Sequence, residues 1–334
     1  MRLLSRRPFL IRLAALAASG AMALESQSAP TQQQVPPHHI GLILVARSPD
    51  DQEWQAFNKA LVDAGYSVGR DLLIESRFTH GDYAPIPELL TDLVQRKVEV
   101  IVVDSTPATQ AAKRATSTIP IVMTSIADPV GSGLVASLAH PGGNVTGLSM
   151  MAPEVSAKRL QLLKEVIPPL SRVAVLWNRN VAFHPRIVEE IRAASPSLSI
   201  EPTFVGVRTP EDFAPAFAAF SRAHAQALYV PEDSFFFIHR TALLRLAVKA
   251  RLPGIYPQRE VVNEGGLLAY GPNLADLFRR TAGYVDKILK GAKPSELPIE
   301  QPISFELAVN LRAAKALGIT IPESILLRAD EVVR

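Results

Sequence analysis

The sequence predicts an α/β protein made of two doubly wound parallel-sheet lobes. From residue 40 onward, short β-branched runs alternate with segments of helical periodicity, and a second such series begins after residue 150. Many of the runs end in polar residues followed by helix-start signals. That is the pattern of open α/β sheets, which bind ligands at the carboxyl ends of their strands. A chain of 334 residues has room for two cores of ordinary size.

In the first series, strands are expected at residues 40–45, 72–78, 98–103, 119–126 and 144–148. Helices are expected at 53–64, 86–96, 106–116 and 130–139. Trp54, Phe57 and Leu61 share one face of the first helix, and Gly65 stops it. Residues 98–103 are almost continuously β-branched, as a strand covered on both faces requires. In the second series, helices are expected at 156–167, 188–194, 212–223, 235–250, 274–289 and 311–317. Its strands are expected at 173–177, 200–205, 227–230, 254–256, 267–270 and 303–309. No short-period repeat is visible.

The N-terminus reads as an export signal at residues 1–23, followed by a linker at 24–37. Arg2, Arg6 and Arg7 form a basic region, residues 8–23 are Ala/Leu-rich, and Ala21 and Ala23 supply the small residues of a cleavage site. The run is short for a membrane span and contains Arg12, which argues against a retained anchor. Ser5-Arg6-Arg7-Pro8-Phe9-Leu10 resembles the twin-arginine motif. The chain has no cysteine, so disulfides, thiolate chemistry and a lipoprotein anchor are excluded. The formal charge of +3 includes the four arginines of the signal, so the remainder is close to neutral and slightly acidic. It carries no basic stripe of the kind nucleic-acid binding needs.

Two catalytic-looking motifs fail on context. Gly65-Tyr66-Ser67-Val68-Gly69 fits a nucleophile elbow, but here a helix enters and a strand leaves, the reverse of what that turn needs. Gly131-Ser132-Gly133-Leu134-Val135-Ala136 fits a dinucleotide loop, yet the next strand ends at Leu148-Ser149-Met150 without the acidic residue that holds a ribose. The seven histidines are scattered, with no metal-ligand spacing. No cofactor, metal site or enzymatic activity is therefore expected.

What remains is a set of polar residues at strand ends. The first series offers Arg47 and Ser48, Asp104 with Ser105 and Thr106, and Ser125 and Asp128. The second offers Asn178 and Arg179, then Glu232, Asp233 and Ser234, then Tyr256 and Arg259. Helix starts favour anions through free N–H groups and the helix dipole. Thr106-Pro107, Asp128-Pro129 and Asp233-Ser234 also read as plain helix caps. Three consecutive aromatics, Phe235 to Phe237, cannot all face one core, so one of them is available to a ligand or to the other lobe.

Several blocks carry a family resemblance. They are Ile119-Pro120-Ile121-Val122 running into Ala127-Asp128-Pro129, Pro141-Gly142-Gly143-Asn144-Val145-Thr146-Gly147, Tyr256-Pro257 with Arg259-Glu260, and Phe305-Glu306-Leu307 through Asn310-Leu311. Across residues 38–333 the chain resembles the ABC transporter substrate-binding family related to the tryptophan/tyrosine transport receptors. The resemblance implies a type I periplasmic-binding-protein fold with a hinge of three crossovers near Ser149-Met150, Tyr270-Gly271 and Glu300-Pro302. Lobe 1 would be 38–150 with 272–300, and lobe 2 would be 151–271 with 301–334. It also implies a monomeric periplasmic receptor that hands a small organic ligand, such as an aromatic amino acid or related acid, to an ABC permease. Arg47 and Asp104 stand where many members have small residues, which adds charge to the pocket. On this reading Arg47 holds a ligand carboxylate and Asp128 or Asp233 an ammonium; alternatively, Arg47 and Asp104 neutralise each other. A ligand-sensing module for a membrane-bound signalling protein is the competing function.

Overall fold

A computed structural model describes residues 36–334. The expected signal peptide and nearly all of the expected linker lie outside them. The first half runs β1 (His38–Leu44), α1 (Gln52–Asp63), β2 (Leu72–Phe78), α2 (Ile86–Gln95), β3 (Val100–Val103), α3 (Thr106–Ala115), β4 (Ile121–Ile126) and β5 (Val145–Ser149). These strands form a five-stranded parallel sheet in the order β2-β1-β3-β4-β5. Alternation along the strands sorts its two faces. Leu42, Leu44, Val100 and Val102 face Phe57 and Leu61 of α1, whereas Ile43, Ile101 and Val103 face Leu90 and Leu93 of α2 and Ala108 and Ala112 of α3.

The second half continues with α4 (Ser156–Val166), β6 (Arg172–Asn178), α5 (His184–Ala194), β7 (Glu201–Val207), α6 (Phe213–Arg222), β8 (Ala227–Tyr229), α7 (Ser234–Ile238), α8 (Arg240–Lys249), β9 (Gly254–Tyr256), α9 (Arg259–Asn263) and β10 (Leu268–Pro272). Then follow α10 (Leu274–Leu289), β11 (Phe305–Asn310), α11 (Leu311–Leu317), α12 (Glu323–Leu326) and β12 (Glu331–Val333). The seven-stranded second sheet has the order β12-β11-β10-β9-β8-β6-β7, and β10 with β11 is its antiparallel pair. The architecture is that of a type I periplasmic binding protein: two α/β lobes with parallel sheets.

The chain passes between the lobes three times. After β5 it enters α4 of the second lobe. After β10 it returns, and α10 buries Leu277, Phe278 and Val285 beside Phe57 and Leu61 of the first. The third passage leaves along β5: Glu300 donates its N–H to the Gly147 carbonyl (3.0 Å) and accepts from the Ser149 N–H (2.9 Å) before β11 begins.

Three local expectations are corrected. Residues 130–139 form turns rather than a helix, because Gly133 takes φ +68° and the Asp128 side chain ties down the Gly131 N–H at 2.8 Å. The dinucleotide-like loop therefore has no helix at its end. The expected helix 235–250 breaks at His239 into α7 and α8. The helix expected from residue 188 starts at His184, with Pro185 in its first turn.

Polar contacts join the lobes at their rims. Arg186 of α5 reaches Asp128 at 3.1 Å and Glu154 at 3.0 Å. Arg259 donates to Gln52 of α1. Arg47 lies 3.5 Å from Glu53 and stacks 5.3 Å from the Phe237 ring centroid of the second lobe. Opposite Glu53 is Glu260 of α9, whose Oε2 is buried without a hydrogen-bond partner. Burial raises the Glu260 pKa; Arg47 opposes the shift and Glu53 adds to it.

A raised carboxyl pKa means that stability is lost as pH climbs from the ordinary value of 4.5 through the raised one. Glu260→Gln should therefore match the parent in melting temperature at pH 4 and exceed it at pH 7.5; equal melting temperatures throughout would contradict this. Gly147 sits at φ +130° and lies so close to β4 that a Cβ would stand 2.1 Å from the Met123 carbonyl oxygen. Gly147→Ala should lower unfolding free energy in a urea titration by about 1–3 kcal/mol from backbone strain, plus the clash.

Candidate ligand-binding site

Between the lobes lies a cavity of about 160 Å³, room for about five waters at roughly 30 Å³ each. It is built from strand ends and the helix starts that follow them. On the first lobe, β3 runs into Asp104, Ser105 and Thr106. Ser105 caps α3 by accepting from the Ala108 N–H at 3.3 Å, and Ser125 of β4 stands alongside. On the second lobe, β8 runs into Glu232, Asp233 and Ser234, and Asp233 caps α7 by accepting from the Phe235 N–H at 2.9 Å. Phe183, Phe237, Met150 and Leu274 supply the apolar walls.

The carboxyl groups are buried. Asp104 is 7% exposed and accepts from the Val45 N–H at 2.9 Å. Burial pushes its pKa up to about 6, against the pull of backbone N–H groups and Arg47. The Asp233 side chain is also 7% exposed, and burial raises its pKa too. Asn178 donates to it at 2.7 Å, and His184 stands 3.9 Å away. His184 Nδ1 accepts from the Asn178 N–H, so Nε2 carries the proton and gives it to the Glu232 carbonyl at 3.0 Å. Burial lowers the His184 pKa, so the ring beside Asp233 is neutral.

Glu232 has a cation of its own. Arg159 of α4, with no exposed surface, pairs with it and also donates to the Tyr270 carbonyl. Arg159 Nη1, Glu232 Oε2 and Tyr229 Oη have no hydrogen-bond partner in this buried cluster.

The residues singled out from sequence separate into groups. Arg47, Ser105, Thr106, Ser125 and Asp233 line the cavity together. Asn178 stands behind Asp233 as its donor. Asp128 is committed to the Gly131 N–H and Arg186. Ser48, bonded to Asp51, and Arg259 line a wider groove at the cleft mouth, which Arg47 also borders. Tyr256 is 3% exposed and belongs to the second-lobe core. Arg47 and Asp104 make no contact within ion-pair distance; the partner of Arg47 is Glu53. Of the aromatic triplet, Phe235 and Phe236 pack on Phe213, and Phe237 turns to the cavity and Arg47. Sequence reasoning missed Phe183, Gln110 and Gln258. Phe183 follows a strand end by five residues and carried no capping or periodic signal.

Comparison with known proteins agrees with this architecture. The family model for ABC transporter substrate-binding proteins matches residues 42–333. A tyrosine-binding protein of Clostridioides difficile is 28% identical over 282 residues, covering 84% of this chain and 81% of the relative. A Streptococcus pneumoniae domain in complex with L-Trp is 26% identical with a TM-score of 0.83, covering 89% of this chain and 100% of that one. A ligand-free, open substrate-binding protein with adhesive properties from Clostridium difficile is also 26% identical, over 89% of this chain and 99% of its own, with a TM-score of 0.68. The chain belongs to the ABC transporter substrate-binding protein family.

Proposed function

We propose that the chain is the exported receptor of an ABC importer and binds a small aromatic compound, an aromatic amino acid or a close relative, between its lobes. The observation that carries this reading is a cavity to which both lobes contribute hydrogen-bonding groups (Ser105, Thr106 and Asp233) and the second lobe two aromatic walls (Phe183 and Phe237). The tyrosine-binding relative and the L-Trp complex support the ligand class. At equal identity, the higher TM-score to the L-Trp complex than to the open, ligand-free protein supports a closed arrangement of the lobes.

In this reading the moving parts are residues 38–150 with 272–300, and 151–271 with 301–334. Ligand shifts an open–closed equilibrium and the permease engages the closed form. Asp233 takes the ligand's ammonium group, since its neighbour His184 is neutral. The protein acts as a periplasmic monomer and carries out no bond chemistry.

The test is a thermal-shift series on the chain from residue 24, with aromatic amino acids, aromatic acids and amines, sugars and nucleosides. Aromatic compounds should raise the melting temperature progressively with concentration, as mass action requires. Shifts confined to sugars or nucleosides would refute the aromatic assignment. Asp233→Asn should weaken an ammonium-bearing ligand by about 10–100-fold, the scale of a hydrogen bond to a charged group, measured by calorimetry.

A further inference from the structure

The charges around the cavity do not balance. Arg47 and Arg159 stand against Glu53, Asp104, Glu232, Asp233 and Glu260, while Arg240 and Arg259 at the cleft mouth are paired with Glu264 and Glu306. Arg159 is paired with Glu232. Arg47 is held 3.5 Å from Glu53, with Glu260 beside it. This leaves Asp104 and Asp233, one from each lobe, without a cation of their own. Asp104 ends β3, the middle strand of the first sheet, and Asp233 follows β8 in the second. Asp104 and the Asp233 side chain are more than nine-tenths buried, and both line the same cavity. Of the groups behind them, His184 is neutral, and burial raises the pKa of the Tyr83 phenol so that it also stays neutral.

We propose that Asp104 and Asp233 clamp a single ligand cation between the lobes, so that the cargo carries a net positive charge: an aromatic amine without a free carboxylate. This rests on the aromatic-ligand reading above and narrows it. Burying a carboxylate without a counter-charge is costly even where amides donate to it, and two in one cavity compound the cost through their repulsion. A ligand ammonium relieves both. A zwitterion brings the same ammonium together with a carboxylate, which finds Arg47 already engaged. The clamp also explains why cargo would draw the lobes together, since each lobe contributes one half of the ammonium's counter-charge.

The proposal has a sign in pH. A bound cation favours ionised Asp104, whose free carboxyl titrates at about 6. Amine affinity should therefore fall about tenfold from pH 7.5 to pH 5, the change in the ionised fraction of such a group. The probes are tyramine and tryptamine against L-tyrosine, L-tryptophan and indole-3-propionate, measured by calorimetry at both pH values. The expected result is that an amine binds at least tenfold more tightly than its amino acid and the acid fails to bind. Asp104→Asn should lose that preference and weaken the pH dependence, Asp233 retaining a part of it, with folding checked by its melting temperature. Tighter binding of the amino acids overturns the clamp and leaves the aromatic reading standing, and that comparison needs only the parent protein. Silence from all five compounds defeats both.

Discussion

Both sheets point the carboxyl ends of their strands into the same narrow space, and the rest of the molecule is arranged around that confrontation. Strand ends are where the backbone turns into helices, so the cavity is bounded by helix starts, caps and the few side chains that leave β3, β4 and β8. Little water reaches these side chains, so their charges must find partners within the protein or in a ligand. The fully buried Arg159 beside Glu232 and the half-sandwiched Arg47 beside Glu53 are the protein's own solutions. Asp233 relies on backbone and amide donors instead.

The contacts between the lobes are of opposite sign. The rim contacts that draw the lobes together, Arg186 to Asp128 and Arg259 to Gln52, each rest on a partly exposed arginine, which limits what each contributes. Glu53 and Glu260 face each other across the boundary and push the other way. Attractive and repulsive contacts thus coexist at the boundary between the lobes. A ligand can decide between open and closed forms only through contacts that differ between them.

Much of the fold was legible because sheet and helix periodicities write themselves into the sequence. The alternation of Leu42, Ile43 and Leu44, and of the valines and isoleucine in β3, marks strands covered on both faces. The candidate site was legible where a cap also lines the cavity, as with Ser105 and Asp233. It was illegible where direction decides. Tyr256 ends a strand as those residues do, yet its ring lies over Gly254 and Gly266 in the core, where a Cβ on either glycine would meet it within 3 Å. Arg159 lies in an amphipathic helix, where an arginine ordinarily marks the solvent face, and only the packing of α4 reveals it as buried. Residues 130–139 read as a helix by their apolar spacing, but two glycines and the Asp128 side chain offered the backbone better bonds elsewhere.

The third passage between the lobes has a further consequence, for how the protein avoids its own kind. By pairing with β5, Glu300 occupies hydrogen-bonding groups that an edge strand would otherwise present to another chain. The remaining edges carry different safeguards. β2 is lined by Glu75 and Arg77 in ion pairs with neighbouring side chains, β7 includes Pro202, and β12 is three residues long. Each sheet end is thus closed to strand addition by a separate device. Relative movement of the two lobes would therefore leave no sheet edge free to become a template for aggregation.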